Sequence, residues 1–248
     1  MKVWIVTINE PVFYGWLYLN IIKRKPENIA GIILIRPDNN CNLRSFINEC
    51  YYRLRFWGIR GALYAFYLLC KSFLTNSGNL SLAAKNANIP FYKCKNLSSA
   101  KSILRENKVD IVLASVNNLV DVDTLQSASY GWINTHCGPL PKYAGLDAPF
   151  WCLFNNEPMF AVTLHYMDTH FDTGPIINQK FIKNKGQSYF DLVKSLFKEA
   201  LILHCIFLED FKPSCEDALK QNHLISTYYN RPSIKDGIQF RKNGGRFV

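Results

Sequence analysis

Residues 1–36 read MKVWIVTINEPVFYGWLYLNIIKRKPENIAGIILIR, and their pattern decides the fold. Residues 2–7 alternate and then run apolar, as an early buried strand does. Pro11 opens a helical stretch that reaches about Arg24, and Pro26 stops it. Residues 29–36 are a second, β-branched run, closed by a turn at Pro37-Asp38-Asn39-Asn40. Strand, helix and strand in so short a span make a βαβ unit, which implies parallel strands joined by a right-handed crossover.

The alternation continues outward. Ser81–Ala87 reads as helix, Ile89-Pro90-Phe91-Tyr92 as extended, and Leu97–Asn107 as helix. Asp110–Ser115 is a buried strand, Asp121–Ala128 a short helix with acids in its first turn, and Tyr130–Thr135 another strand. Residues 1–135 therefore predict an α/β, doubly wound, mostly parallel sheet. From Met159 the pattern changes. Phe160–Met167 and Ile176–Ile182 predict a strand pair closed by a long loop, residues 168–175, of the kind that carries function. Ser188–Phe211 has the 3.6-residue period of a long amphipathic helix. From Pro213 the chain is polar and basic, with Tyr228-Tyr229 and Gly244-Gly245. The expected organisation is a body over 1–211 and a short C-terminal extension over 212–248.

Residues 43–75 predict one or two helices broken near Gly58–Gly61. They carry Tyr51, Tyr52, Phe56, Trp57, Tyr64, Phe66, Tyr67 and Phe73 among Arg53, Arg55 and Arg60. Two readings stand: a helix pair packed on the sheet, or a membrane-surface patch over 51–73, since arginine and aromatics together favour interfaces.

A hydrophobic fraction of 48% with 19% charged residues excludes a disordered chain. No apolar run reaches the roughly 18 residues of a spanning helix, and the N-terminus reads as a strand, not a signal peptide. The eight cysteines are scattered without a C-x-x-C pair, which predicts reduced thiols in a cytoplasmic protein. The formal charge of +10 suggests an anionic partner. Nucleic acid, a nucleotide-linked small molecule and a plain solvated surface all fit it. The first loop, Thr7–Pro11, lacks the glycines of a dinucleotide fingerprint, and neither a P-loop nor G-x-S-x-G occurs.

The stretch that carries chemistry is Gly131-Trp132-Ile133-Asn134-Thr135-His136-Cys137-Gly138-Pro139-Leu140-Pro141-Lys142-Tyr143-Ala144-Gly145. Asn134 and His136 are two apart at a strand end, so they share a side. The C-terminal ends of parallel strands are where ligands bind. Asp172 sits in the loop of the strand pair and could join them. An amide, an imidazole and a carboxylate suit acyl transfer to an amine: the first two stabilise an oxyanion, and the third orients the imidazole and helps move a proton. A metal site built from His136, His165, His170 and Asp172 lacks tight ligand spacing, so no metal is expected. Cys137 as a nucleophile beside His136 is disfavoured, because adjacent strand residues face opposite ways.

Asn134-x-His136, Pro139-Leu140-Pro141-x-Tyr143-x-Gly145, Ala161–Asp168 and Asp172-Thr173-Gly174-Pro175-Ile176-Ile177 with Gln179 resemble the formyltransferases that use N10-formyltetrahydrofolate. The resemblance is dense over residues 110–180. It implies the Rossmann-like formyltransferase fold, a catalytic trio of Asn134, His136 and Asp172, and His165 as a family histidine behind the site. It also implies a folate pocket near Phe91-Tyr92, Ser115, Val116 and Asn117, and Asp168, Thr169, His170 and Phe171. The loop after His136 is one residue longer than the family's usual Ser-Leu-Leu-Pro.

Three acceptor classes follow from the resemblance. The initiator-tRNA enzymes carry a further C-terminal barrel, whereas 76 residues follow Asp172 here. The glycinamide-ribonucleotide enzymes have a Gly-rich loop after strand one. The nucleotide-sugar enzymes of O-antigen biosynthesis are similar in size and in their first loop. The resemblance thus implies a sugar N-formyltransferase acting on a dTDP-linked aminodideoxy sugar, with no nucleic acid partner and a homodimer left open. Asn9, Glu10, Tyr14, Lys142, Tyr228 and Tyr229, with Arg53 or Arg55, are its candidates for holding the nucleotide sugar. The alternatives are a methionyl-tRNA or glycinamide-ribonucleotide enzyme, or an inactive nucleotide-sugar or RNA-binding module.

Overall fold

The computed structural model describes residues 1–36, 43–211 and 218–248. The predicted turn at 37–40 lies outside the described residues. In chain order the elements are β1 (Val3–Ile8), α1 (Tyr14–Arg24), β2 (Ile29–Ile35), α2 (Leu43–Thr75), α3 (Leu80–Asn86) and β3 (Phe91–Cys94). Then follow α4 (Leu97–Glu106), β4 (Ile111–Ser115), α5 (Val122–Leu125), β5 (Trp132–His136), β6 (Ala144–Gly145) and α6 (Ala148–Phe154). The last are β7 (Met159–Tyr166), β8 (Ile176–Lys183), α7 (Tyr189–Asp210), β9 (Tyr228–Tyr229) and α8 (Ile234–Lys242).

The main sheet has the order β3-β2-β1-β4-β5-β7-β8. Its first five strands are parallel, and β7 and β8 are antiparallel. β1 and β4 are apolar and buried along nearly their whole length, as strands covered on both faces must be. On one face Ile5, Ile32, Leu113 and Ile133 pack against Leu17 and Ile21 of α1 and Leu196 and Ala200 of α7. On the other, Trp4, Val6, Val112 and Trp132 pack with Ala100 and Leu104 of α4. Strand order reverses between β1 and β4, which opens a crevice beyond their C-terminal ends.

α2 is broken at Gly58, whose φ of 73° and ψ of 173° leave the helical region. Its main packing partner is α8, so the expectation of a helix pair laid on the sheet is corrected. The reason is an aromatic cluster of Phe56, Phe150, Phe190, Phe240 and Phe247, which gathers α2, α6, α7 and α8. The last residues are fastened to the body. Leu219 bridges Ile176, β9 pairs with β6, and the amides of Tyr189 and Phe190 donate to the carbonyls of Arg246 and Phe247.

His204 of α7 is wholly buried, with Nε2 2.7 Å from the Thr135 hydroxyl. Burial pushes its pKa down to about 4. An unfolded histidine titrates near 6.5, so the unfolded chain binds the extra proton between those values. The contribution to stability is full above pH ~6.5 and is lost as pH falls toward about 4, by about 3 kcal/mol at most. Melting temperature should fall across that window, and His204→Gln should flatten the slope. An unchanged slope in the variant would refute this.

Candidate active site

β5 delivers Asn134 and His136 to the rim of the crevice, and Thr135 points to the opposite face toward His204. Antiparallel pairing with β7 sets His165 opposite Asn134 and Thr163 opposite His136. The loop between β7 and β8 returns Asp172 to the same place, in the left-handed region at φ 57°. The return is tight. A Cβ on Gly174 would lie 2.0 Å from the Tyr166 carbonyl oxygen, so only glycine fits.

The four polar groups converge. Asp172 Oδ2 lies 3.3 Å from His136 Nδ1 and accepts the Gly145 amide at 2.8 Å. Asp172 Oδ1 lies 3.4 Å from His165 Nε2 and 3.3 Å from Asn134 Nδ2. Asn134 Nδ2 also meets His165 Nε2 at 3.2 Å. His136 Nε2 donates to the Tyr143 carbonyl at 2.8 Å, which assigns the proton to Nε2 and leaves Nδ1 as the basic nitrogen beside Asp172. His165 Nδ1 donates to the Tyr166 carbonyl at 2.8 Å, so its Nε2 accepts from Asn134.

The charges follow from this packing. Burial would raise Asp172, but the neighbouring His136 and His165 rings and the Gly145 amide override it and hold the carboxyl well below the usual range. Burial pushes His136 down, and Asp172 recovers only part of that loss. Cys137 is pushed up to about 12 by burial and the neighbouring Asp147, which keeps it a protonated thiol.

Residues 82–188 match the family described as Formyl transferase. Residues 82–188 are a formyltransferase domain. A methionyl-tRNA formyltransferase from Thermotoga sp. strain RQ2 is 29% identical over 160 residues, which are 63% of this chain and 50% of that protein. The chain thus spans half or less of the curated relatives it matches. Among solved structures, the sugar 3N-formyltransferase WlaRD, determined with dTDP and 5-N-formyl-THF, has a TM-score of 0.57 at 17% identity over 93% of this chain and 70% of its own. A phosphoribosylglycinamide formyltransferase from Anaplasma phagocytophilum has a TM-score of 0.61 at 16% identity, covering 94% of this chain and 99% of that one. At such identities the likeness is one of fold, and the Rossmann-like formyltransferase fold is what the chain has.

A cavity of about 350 Å³ opens beside Asn134, His136, His165 and Asp172. Ser115, Val116 and Asn117 line it from the end of β4, and Asp168, His170 and Phe171 from the opposite loop. Thr169 is not in the lining; its hydroxyl contacts His170 Nδ1 at 3.2 Å. Phe91 and Tyr92 are corrected outright: β3 is the far edge of the sheet, three strands from β4. Tyr92 stacks on Trp4 there, and Phe91 lines a second cavity.

Of the acceptor candidates, Glu10, Tyr14 and Tyr228 line the first cavity. Both Glu10 carboxylate oxygens are engaged, accepting the amides of Val12, Phe13 and Tyr14 ahead of and into α1. Asn9 lines the second cavity, and Lys142 lines neither. Tyr229 lines neither cavity and is stacked between Tyr143 and Trp151. Arg53 pairs with Glu49 on α2, away from both cavities.

Sequence reasoning missed two features. Gln221 donates to the carbonyls of Asp172 at 2.8 Å and Gly174 at 2.7 Å, bracing the loop from the C-terminal segment. Asp147 lines the cavity with a carboxyl that accepts the Tyr189 hydroxyl at 2.8 Å, and burial pushes it up to about 6. Neither has a local pattern that would reveal it. Among the described residues, no group of three or more His, Cys, Asp or Glu is arranged to hold a metal ion.

Proposed function

We propose that the chain is a sugar N-formyltransferase that moves a formyl group from N10-formyltetrahydrofolate to the amine of a dTDP-linked aminodideoxy sugar. The observation that carries this reading is the convergence of Asn134, His136 and Asp172 on one cavity at the switch point of a formyltransferase fold. The cavity suits the folate: apolar walls from Phe13, Val116 and Phe197 stand beside a loop, Asn117–Val120, whose backbone groups can meet a pterin edge. The folate supplies the formyl carbon at an activated oxidation level. Ser115, Val116, Asn117, Asp168, His170 and Phe171 are the residues that would hold it.

Asn134 presents its amide hydrogens through contacts of 3.2 and 3.3 Å, both long, so one can turn to the formyl oxygen as charge builds there. His136 is held in one tautomer by the Tyr143 carbonyl, and its Nδ1 with Asp172 Oδ2 offers a place for the proton lost by the attacking amine. His165 keeps Asn134 and Asp172 in register.

The second cavity, about 290 Å³, shares Glu10 with the first and lies beyond the ends of β1, β2 and β3. It offers Asn9, Asn79, Ser81 and Lys93 as polar groups, with Phe73 and Phe91 as ring faces. We assign it the nucleotide end of the acceptor, where Lys93 meets phosphate charge. Lys93→Ala should raise KM for the nucleotide sugar about tenfold with kcat nearly constant. An unchanged KM would remove the nucleotide from this cavity.

The test of the function is direct. The purified chain is incubated with N10-formyltetrahydrofolate and, separately, dTDP- and UDP-linked amino sugars, glycinamide ribonucleotide and methionyl-tRNA. Formylation of a nucleotide-linked amino sugar is expected. Formylation of methionyl-tRNA, the acceptor named for the Thermotoga relative, would replace the acceptor and leave the chemistry. Formylation of none, with the cosubstrate bound, would leave a binding module.

A further inference from the structure

The part of α2 after Gly58 is apolar on two opposite faces. Its inner face, with Gly61, Tyr64, Leu68 and Ser72, packs into the body: Tyr64 lies 5.4 Å from the Phe190 ring, and the Ser72 hydroxyl donates to the Pro11 carbonyl. Its outer face carries Ile59, Leu63, Phe66, Tyr67 and Leu74, each more than half exposed. At 3.6 residues per turn these positions fall on one side of the helix and so form one stripe, about 22 Å long. A surface helix ordinarily shows water a polar face there. This one shows large aliphatic and aromatic side chains in a contiguous row, which marks an interaction surface.

The charges beside the stripe select its occupant. Arg60 and Lys71 stand on this half of the helix, and residues 58–75 contain no acid. The preceding half adds Arg44, Arg53 and Arg55 against a single acid, Glu49, which is already paired with Arg53 and Arg231. A second copy related by a two-fold axis would set the same patch against itself and bring these cations together without counter-charges. A bilayer surface with anionic headgroups supplies what the stripe lacks: an apolar layer for the leucines and Phe66, and negative charge for the flanking cations. No helix among the described residues is long and apolar enough to cross a membrane, so the contact is one of lying on the surface.

We propose that the outer face of α2 over residues 59–74 docks the protein on an anionic membrane surface. The inference is independent of the acceptor and of formyl transfer.

The test is sedimentation of the full chain with extruded phosphatidylcholine vesicles, with or without about one-third phosphatidylserine. The expected result is co-sedimentation with the anionic vesicles only, weakened by high salt. The variant Leu63→Ser/Phe66→Ser/Leu74→Ser changes only exposed side chains and should fold as the wild type by circular dichroism. Its vesicle affinity should fall at least tenfold. Arg60→Glu/Lys71→Glu should lose binding to anionic vesicles and keep its monomer mass. Wild-type protein that stays in the supernatant with anionic vesicles overturns the proposal. So does a wild-type dimer by sedimentation equilibrium that the triple serine variant converts to monomer, since the stripe would then be a self-interface.

Discussion

Asp172→Asn should lower the rate of formyl transfer about 10³-fold in single-turnover measurements, with the far-ultraviolet circular dichroism unchanged. The carboxylate does three things at once. It accepts the Gly145 amide, faces His136 Nδ1, and anchors Asn134. An asparagine oxygen can keep the amide bond, but the charge beside His136 is gone. The sign of the pH effect follows. Asp172 is the charge that raises His136 against burial, so its loss lowers the His136 pKa further. The acid limb of kcat/KM, which for a buried His136 lies below the ordinary histidine value near 6.5, should move to still lower pH in the variant. A variant within tenfold of wild type would refute the role assigned to Asp172.

Phe150→Ala should destabilise the fold by about 3–5 kcal/mol, read by urea unfolding. Phe150 is completely buried, with the rings of Phe56, Phe240 and Phe247 at 5.0, 5.3 and 6.2 Å. Those three rings come from α2, α8 and the residues that follow α8, so the cavity opens at the point where distant segments meet. Limited proteolysis of the variant should cut first near α8. A loss under about 1 kcal/mol would mean that the cluster collapses to fill the space.

The parallel strands were legible because sheets covered on both faces need uninterrupted apolar runs, and residues 3–7 and 111–115 supply them. The shared side of Asn134 and His136 was legible from the two-residue strand period alone. Asp172 was legible only as a loop carboxylate that could join them, because its approach depends on the β7–β8 register and on the glycine at 174. Phe91 and Tyr92 were misplaced because nothing local to β3 says which strand becomes the edge. α8 has a Ser233–Asp236 capping box, but its few apolar positions, Ile234, Ile238 and Phe240, give no sustained period. The Tyr143 carbonyl, Gln221 and the Asp147–Tyr189 pair depend on long-range packing that no window of sequence contains.

The Gln221 brace has a temporal consequence. The loop that bears Asp172 is pinned through its carbonyls at 172 and 174 by a side chain made some fifty residues later. A nascent chain emerging from the ribosome holds the amide, the imidazoles and the carboxyl well before it holds their clamp. The loop therefore reaches its braced form only after the segment from Leu219 onward has laid itself across the strands already formed.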